Sequence, residues 1–368
     1  MDKKKKVAII GTNGIPARYG GFETLSNYLV EYLSMDFDIT VYCSRTSKQK
    51  RLKEYKSAKL LYFPLSANGW QSIPYDIITI FHAYFKSDNL IILGLSGAFA
   101  FPFNKIFKKN IIFNIGGIEW QKVRGSKGFS KIEIRLKKWM EKICIRNSKT
   151  VIIDNLAFKE YLIKEYRIQP VLAEYGGDNA VYESVSIELL DKYPFLKNSY
   201  DLSVSRAQED MNIHIIIETY KLLPNRSVVI ISNWDISSYG KKLYSENNNK
   251  YPNIILLNAI YDQNILNIIR SNCSIYIHTH SLCGTAPSLV EAMSLNLPVI
   301  SYDIPTNRAT TENKALYFKD TATLIEVINS IEDITLLRIK EDMLEISKRR
   351  YTWKRITSIY KNNLLNSN

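Results

Sequence analysis

The residues best suited to chemistry fall in one run, His280-Ser-Leu-Cys-Gly-Thr-Ala-Pro-Ser-Leu-Val-Glu-Ala-Met293. Their spacing predicts a strand ending near His278, a turn at Gly284-Thr285-Ala286 and a helix over Pro287–Leu295. Proline is tolerated at the first helical position because its missing N–H has no helical partner to lose. Asn296 stands where a helix needs a left-handed closing residue, and a second buried strand starts at Pro298. The first amides of such a helix are unpaired and its dipole is positive there, so Gly284, Thr285 and Ser288 frame a candidate anion site. Glu291, one turn further on, adds a carboxylate suited to sugar hydroxyls. An anion beside a polyol is the chemistry of a nucleotide-sugar.

Three other strings carry candidate groups. Gly11-Thr-Asn-Gly-Ile-Pro-Ala-Arg-Tyr-Gly-Gly-Phe-Glu-Thr24 follows the first predicted strand. Glycines there let backbone approach a ligand, although Gly11 and Gly14 lack the dinucleotide spacing. In Asn114-Ile-Gly-Gly-Ile-Glu-Trp120, Glu119 and Trp120 follow a strand, and ligands of open α/β sheets lie beyond strand carboxyl ends. Arg206, in Ser203-Val-Ser-Arg-Ala-Gln-Glu-Asp-Met211, offers a planar fork for phosphate oxygens or an ion pair with Glu209 or Asp210. In Tyr302-Asp-Ile-Pro-Thr-Asn-Arg308, Asn307 and Arg308 either line a nucleotide or stabilise a turn.

Two series of elements must position these groups. The first has strands at 6–10, 38–43, 59–63, 89–93, 110–115 and 150–153, with a helix at 22–33. The second has strands at 201–205, 227–232, 253–257, 274–278, 298–302 and 315–318, with helices at 213–222, 262–271 and 287–295. Strands alternating with helices imply parallel sheets covered on both faces. The boundaries expected are 1–174 and 175–351, with Tyr175-Gly-Gly-Asp178 as punctuation and an amphipathic segment at 352–368.

The charge is uneven. Residues 1–170 hold 29 Lys/Arg against 14 Asp/Glu, and residues 171–368 hold 20 against 22. A basic first half suggests a polyanionic surface partner for that half alone. Between Lys122 and Lys149 there are ten Lys/Arg and two Glu, with Ile132, Leu136, Trp139, Met140 and Ile143 at helical spacing. A basic amphipathic helix with a tryptophan suits an anionic membrane surface, here at 129–147. No nucleic-acid motif appears. No stretch has the roughly 20 apolar residues of a spanning helix, and no signal peptide is evident. Four cysteines without metal or redox spacing fit a reducing cytoplasm, and four histidines not grouped as ligands imply no metal.

The ordered motifs resemble glycosyltransferase family 4, retaining enzymes of GT-B fold, and within it a bacterial subgroup enriched in rhamnosyltransferases. The resemblance implies two doubly wound Rossmann-like domains facing a central cleft. It assigns acceptor binding to the first and nucleotide-sugar binding to the second, with the final helix crossing back onto the first. It puts Gly14, Gly20, Gly21, Arg206, Gly284, Thr285, Ser288, Glu291 and Asn307 at the donor. Arg18 and Trp120 fall on the acceptor side, and Glu119 and Arg206 in catalysis. The implied substrates are dTDP-rhamnose, or a UDP- or GDP-sugar, and a polyprenyl-diphosphate-linked saccharide for surface polysaccharide. No cofactor or metal is implied. The place of work would be the cytoplasmic face of the cell membrane. The chain departs from the pattern at three positions. Cys283 replaces the first of two glutamates, Gly116 replaces an aspartate, and Met211 replaces a lysine. These departures leave open a non-catalytic sugar-nucleotide-binding subunit, or an epimerase of the same shape.

Overall fold

The computed structural model describes residues 4–17, 20–45, 51–118, 120 and 131–366. They form two compact units, one running to Glu174 and resuming at Lys354, the other from Tyr175 to Trp353.

The first unit holds β1 (Lys6–Ile10), β2 (Asp38–Ser44), β3 (Glu54–Tyr55), β4 (Ala58–Phe63), β5 (Asn89–Leu93), β6 (Asn110–Asn114), β7 (Thr150–Ile153) and β8 (Val171–Leu172). Their order across the sheet is β3-β4-β2-β1-β5-β6-β7-β8. Every pairing is parallel except β3 with β4. The central strands read as nearly unbroken Val, Ile and Leu because helices cover both faces. Four helices matter below: α1 (Gly21–Leu33), α2 (Ser72–Lys86), α3 (Asn104–Phe107) and α4 (Lys131–Arg146).

The second unit holds β9 (Asp201–Val204), β10 (Val228–Ser232), β11 (Ile254–Asn258), β12 (Tyr276–His278), β13 (Val299–Tyr302) and β14 (Leu316–Phe318), in the order β11-β10-β9-β12-β13-β14. All its pairings are parallel. Its site is framed by α5 (Gln263–Ser271), α6 (Pro287–Ser294) and α7 (Pro305–Thr310). Two apolar clusters flank this sheet, one around Ile216, Ile230 and Ile277, the other around Leu202, Val229 and Tyr276.

The doubly wound α/β expectation is met in both units, and β3 and β8 are additions to it. At two residues each, they are too short to carry a periodicity. The last helix, α8 (Trp353–Leu365), joins the first unit. Asn114 Nδ2 on β6 donates to the buried Tyr360 hydroxyl at 2.7 Å, and Lys149 Nζ donates to the Asn366 carbonyl at 2.8 Å.

The helix expected at 129–147 is seen as α4, and its apolar residues divide between two faces. Met140, Cys144 and Ile145 enter the core, while Ile132, Leu136 and Trp139 stay exposed. Lys122 and the rest of 121–130 lie outside the described residues.

Candidate active site

In an open sheet, ligands gather where successive connections leave to opposite sides, at the carboxyl ends of the strands. In the second unit that point lies between β9, which pairs with β10 on one side, and β12 on the other. Arg206 leaves the end of β9, and the turn from Thr279 to Ala286 leaves the end of β12.

These two loops are tied together by backbone. Ser281 donates twice to the Asp210 carbonyl, from its N–H and its hydroxyl, each at 2.9 Å. Asn212 Nδ2 donates to the Thr279 carbonyl at 3.0 Å, and the Thr279 hydroxyl donates to Met211 O. The Met211 side chain itself is buried in the core. Arg206 is exposed and has no ion-pair partner among the described residues, so the alternative of a pair with Glu209 or Asp210 is not what forms.

Beside Arg206 stand two imidazoles. His278 is 1% exposed, its ring lies 4.1 Å from that of His280, and neither of its nitrogens has a hydrogen-bond partner; nor does His280 Nε2. Burial pushes His278 well below the usual histidine range. Burial, and then the positive charge of Arg206, lower His280 to about 3. Both are therefore neutral near pH 7, each with one donor and one acceptor.

In the sequence His278 and His280 straddle the end of a strand, where a packed and satisfied histidine is the common outcome, and the four histidines read as not grouped as metal ligands. The fold corrects this, since ligand atoms of His278, His280 and Cys283 lie within 4.8 Å of one another. The spacing His-x-His at a strand end was the signal, because alternate residues share a strand face. The surroundings nevertheless suit an anion better than a cation. The Arg206 field opposes positive charge at His280, and the Cys283 thiol donates to Asn307 Oδ1 at 3.4 Å.

α6 begins with Pro287, which has no N–H, and carries no side-chain cap; the Leu289 and Val290 N–H groups already reach the Ala286 carbonyl, at 3.1 and 3.2 Å, so the Ser288 amide is the one its first turn leaves for a ligand. Gly284 is half-buried, Thr285 is buried, and Ser288 is hydrogen-bonded to the Tyr276 hydroxyl. The helix closes as expected. Asn296 has φ +59°, Asn296 N–H reaches Met293 O at 3.1 Å, and Leu297 N–H reaches Ala292 O at 3.2 Å.

Glu291 sits in this unit with partners that sequence reasoning missed. Its Oε2 is 2.6 Å from Arg270 Nη2 on α5, and its Oε1 accepts from Asn179 Nδ2 at 2.9 Å. Asn179 in turn accepts from Trp353 Nε1 at 2.9 Å. The carboxylate is thus fixed and retains lone pairs for hydroxyls, since an ionised carboxylate accepts about four hydrogen bonds. Arg270 is 3% exposed, and a basic residue in the last turn of a helix gives no hint of burial.

Asn307 corrects an expectation. It is fully buried, and its Nδ2 donates to His280 O at 3.1 Å and Tyr302 O at 2.9 Å. Both ends of its amide are engaged within the protein, so it clamps the loop and does not line a nucleotide. Arg308 bonds Asp303 Oδ1 at 2.5 Å and stacks on Tyr317 at 4.1 Å, which is the turn-stabilising alternative. A groove lined by Tyr182, Cys273, Asn296, Asp333 and Lys340 opens at the amino ends of β12 and β13, the wrong edge of the sheet for this chemistry.

In the first unit the corresponding switch lies between β1 and β5, where the glycine loop leaves β1. Gly11 has φ +94°, and a Cβ there would sit 2.0 Å from Leu93 O. The buried Glu23 ties the loop down, its Oε1 accepting from Asn13 N at 2.9 Å and Asn13 Nδ2 at 3.0 Å. Gly14 is buried against Cys43, which makes it a packing residue instead of a ligand contact. Gly20 is half-buried, and Gly21 is exposed at the uncapped start of α1. Trp120 is half-buried; its Nε1 donates to the Tyr161 hydroxyl at 3.0 Å, and Lys138 stacks on its ring at 4.2 Å. That engagement is within the unit's own packing. Arg18 and Glu119 lie outside the described residues.

Residues 4–178 match the family described as Domain of unknown function (DUF1972), and residues 190–349 match Glycosyl transferases group 1. No curated protein matches the chain significantly. Its fold is similar to that of sucrose-phosphate synthase from Thermosynechococcus elongatus, at 13% identity and TM-score 0.80 over 98% of both chains. It is also similar to HepE from Anabaena, solved with UDP and glucose, at 16% identity and TM-score 0.77 over 98% of this chain and 99% of that one. The catalytic domain of starch synthase IV from Arabidopsis thaliana, solved with ADP and acarbose, gives 12% identity and TM-score 0.70 over 99% of each. At these identities the likeness is one of fold, the two Rossmann-like units of GT-B glycosyltransferases.

Proposed function

We propose that this GT-B glycosyltransferase, with its group 1 transferase domain at residues 190–349, moves L-rhamnose from dTDP-rhamnose to a saccharide carried on polyprenyl diphosphate, with retention of anomeric configuration. The product would feed bacterial surface-polysaccharide synthesis at the cytoplasmic face of the membrane. The observation that carries the reading is the unpaired, exposed Arg206 beside two neutral histidines and the Ser288 amide in the first turn of α6. Such a cluster stabilises a departing nucleoside diphosphate by fixed charge and dipoles, without need of a metal.

Arg206 carries the diphosphate charge, together with the Gly284–Ser288 turn. Glu291, held by Arg270 and Asn179, accepts from the ribose 3′-hydroxyl. Glu119 contacts the acceptor hydroxyl. The rhamnosyl donor rests on the resemblance of the Gly11–Thr24 string. A UDP-sugar donor is the second reading, favoured by the fold shared with HepE, which was solved with UDP and glucose.

A thermal-shift panel of dTDP, UDP, GDP and ADP without added metal tests this. Specific binding raises the midpoint in proportion to the logarithm of ligand concentration over Kd. A shift with dTDP alone is expected. A shift with UDP or GDP alone replaces the donor, and no shift with any nucleotide leaves a non-catalytic scaffold subunit that binds none of them. Product analysis then separates a new glycoside from a new sugar-nucleotide, the epimerase outcome.

A further inference from the structure

Every exposed Phe and Trp among the described residues belongs to the first unit: Phe85, Phe99, Phe103, Trp70 and Trp139. Four of the five form one ridge across four neighbouring elements. The Phe99 and Trp139 rings lie 5.4 Å apart and join the 3₁₀ segment Ala98–Phe103 to α4. Phe103 meets Phe81 at 4.9 Å, joining the same segment to α2. Phe85 meets Phe107 at 5.0 Å, joining α2 to α3. Ile106 on α3 and Ile132 on α4 extend the ridge, each 73% exposed. A soluble surface seldom leaves aromatic side chains contiguous and open to water unless they serve contact.

The ridge is bordered by cations. Lys86, Lys105, Lys108, Lys131, Arg135 and Lys142 are exposed on the same helices, and none has an ion-pair partner among the described residues. Unneutralised lysines around an apolar crest match a surface that is hydrocarbon in depth and anionic at its headgroups. A protein partner would have to present the same layered combination, and the unit's net positive charge opposes a second copy of itself. Among the described residues no helix is long and apolar enough to cross a membrane. Contact would therefore be by shallow insertion.

We propose that this ridge inserts into an anionic bilayer, with Phe85, Phe99, Phe103 and Trp139 as the inserted side chains and the flanking lysines at the headgroups. The inference rests on the reading that the acceptor is lipid-linked, and it deepens that reading by naming the docking face. It moves the contact from a basic helix alone to a crest shared by α2, α3, α4 and the segment before α3.

The test is flotation of the full chain with vesicles of phosphatidylglycerol and phosphatidylcholine at about 1:2. The comparison is a Phe85→Ser/Phe103→Ser/Trp139→Ser variant, whose three side chains are exposed and whose fold is checked by its thermal midpoint. Wild type is expected to float, and the variant to lose about tenfold or more in its bound-to-free ratio. Bromine-labelled acyl chains should quench tryptophan emission, and Trp139→Phe should remove most of that quenching. Unchanged flotation of the folded triple variant, or no quenching, overturns the proposal. A shift from dimer to monomer in the variant with flotation intact also overturns it, assigning the ridge to a second copy. Sugar transfer to a short water-soluble acceptor is read in parallel. Vesicle binding without transfer from any nucleotide-sugar would sink the proposed function and leave the ridge standing. Transfer without ridge-dependent binding does the reverse.

Discussion

Asn307→Ala separates two roles for one residue. If the amide lined the nucleotide, the variant would fold normally and bind donor poorly. The geometry says that it clamps the loop after β12 to the end of β13. Its two amide–carbonyl bonds, at 3.1 and 2.9 Å, contribute about 1 kcal/mol each. The 3.4 Å thiol contact contributes less, and the His280 carbonyl loses this donor, while that of Tyr302 keeps the Ile304 N–H at 3.0 Å. The loss expected is about 3 kcal/mol in all. For a unit of this size each kcal/mol lowers the thermal midpoint by about 2–4 °C, so a fall of about 6–12 °C is expected. Differential scanning calorimetry gives the midpoint, and nucleotide titration of the folded variant gives the affinity. Asn307→Asp should be no better, because a carboxylate would face two carbonyl oxygens. A midpoint within about 2 °C of wild type would refute the clamp.

Arg206→Ala should slow transfer about a hundredfold, the scale of losing one preorganised donor, and shift stability by less than about 0.5 kcal/mol, because the side chain is exposed and unpaired. Steady-state kinetics and a thermal melt read the two together. Gly11→Ala should destabilise by about 3 kcal/mol or more in chemical denaturation, since a Cβ would meet Leu93 O at 2.0 Å on a backbone of φ +94°. Tyr360→Phe should cost about 1–3 kcal/mol by orphaning the buried Asn114 amide. His278 and His280 are held neutral in the folded chain and take up protons near 6.5 when unfolded. Their contribution is complete above that pH and is lost as pH falls below it, for His280 down to about 3. The slope is about 1.4 kcal/mol per pH unit for each histidine. Denaturation midpoints at pH 7, 6 and 5 should fall less steeply in His278→Asn than in wild type.

Backbone-driven features were legible in the sequence. The central strands declared themselves as apolar runs, and the α6 terminus was visible from Pro287 and Asn296, whose conformations are set locally. Arg206 was legible because its place at a strand end follows from the strand. What stayed hidden depends on burial and on distant partners. Arg270 and Asn179 meet Glu291 from other parts of the chain, and nothing local to Arg270 marks it as buried. Asn307 looked like a ligand contact because a buried amide and an exposed one are written identically. The apolar positions of α4 share one helical period, yet Met140 turns inward while Trp139 turns outward, and only the neighbouring ring of Phe99 shows which face belongs to the surface.

The discontinuity of the first unit has a consequence for biosynthesis. Its chain is interrupted after Glu174 and resumes at Lys354. At ordinary elongation rates the intervening stretch takes about 10–40 s to emerge from a ribosome. Through that interval Asn114 lacks Tyr360 and Asn110 lacks the Asn363 carbonyl that it will reach at 3.1 Å. The second unit, uninterrupted in sequence, is free to finish first. The unit begun earliest is thus sealed last, and its exposed aromatic crest emerges from the ribosome well before the helix that completes its core.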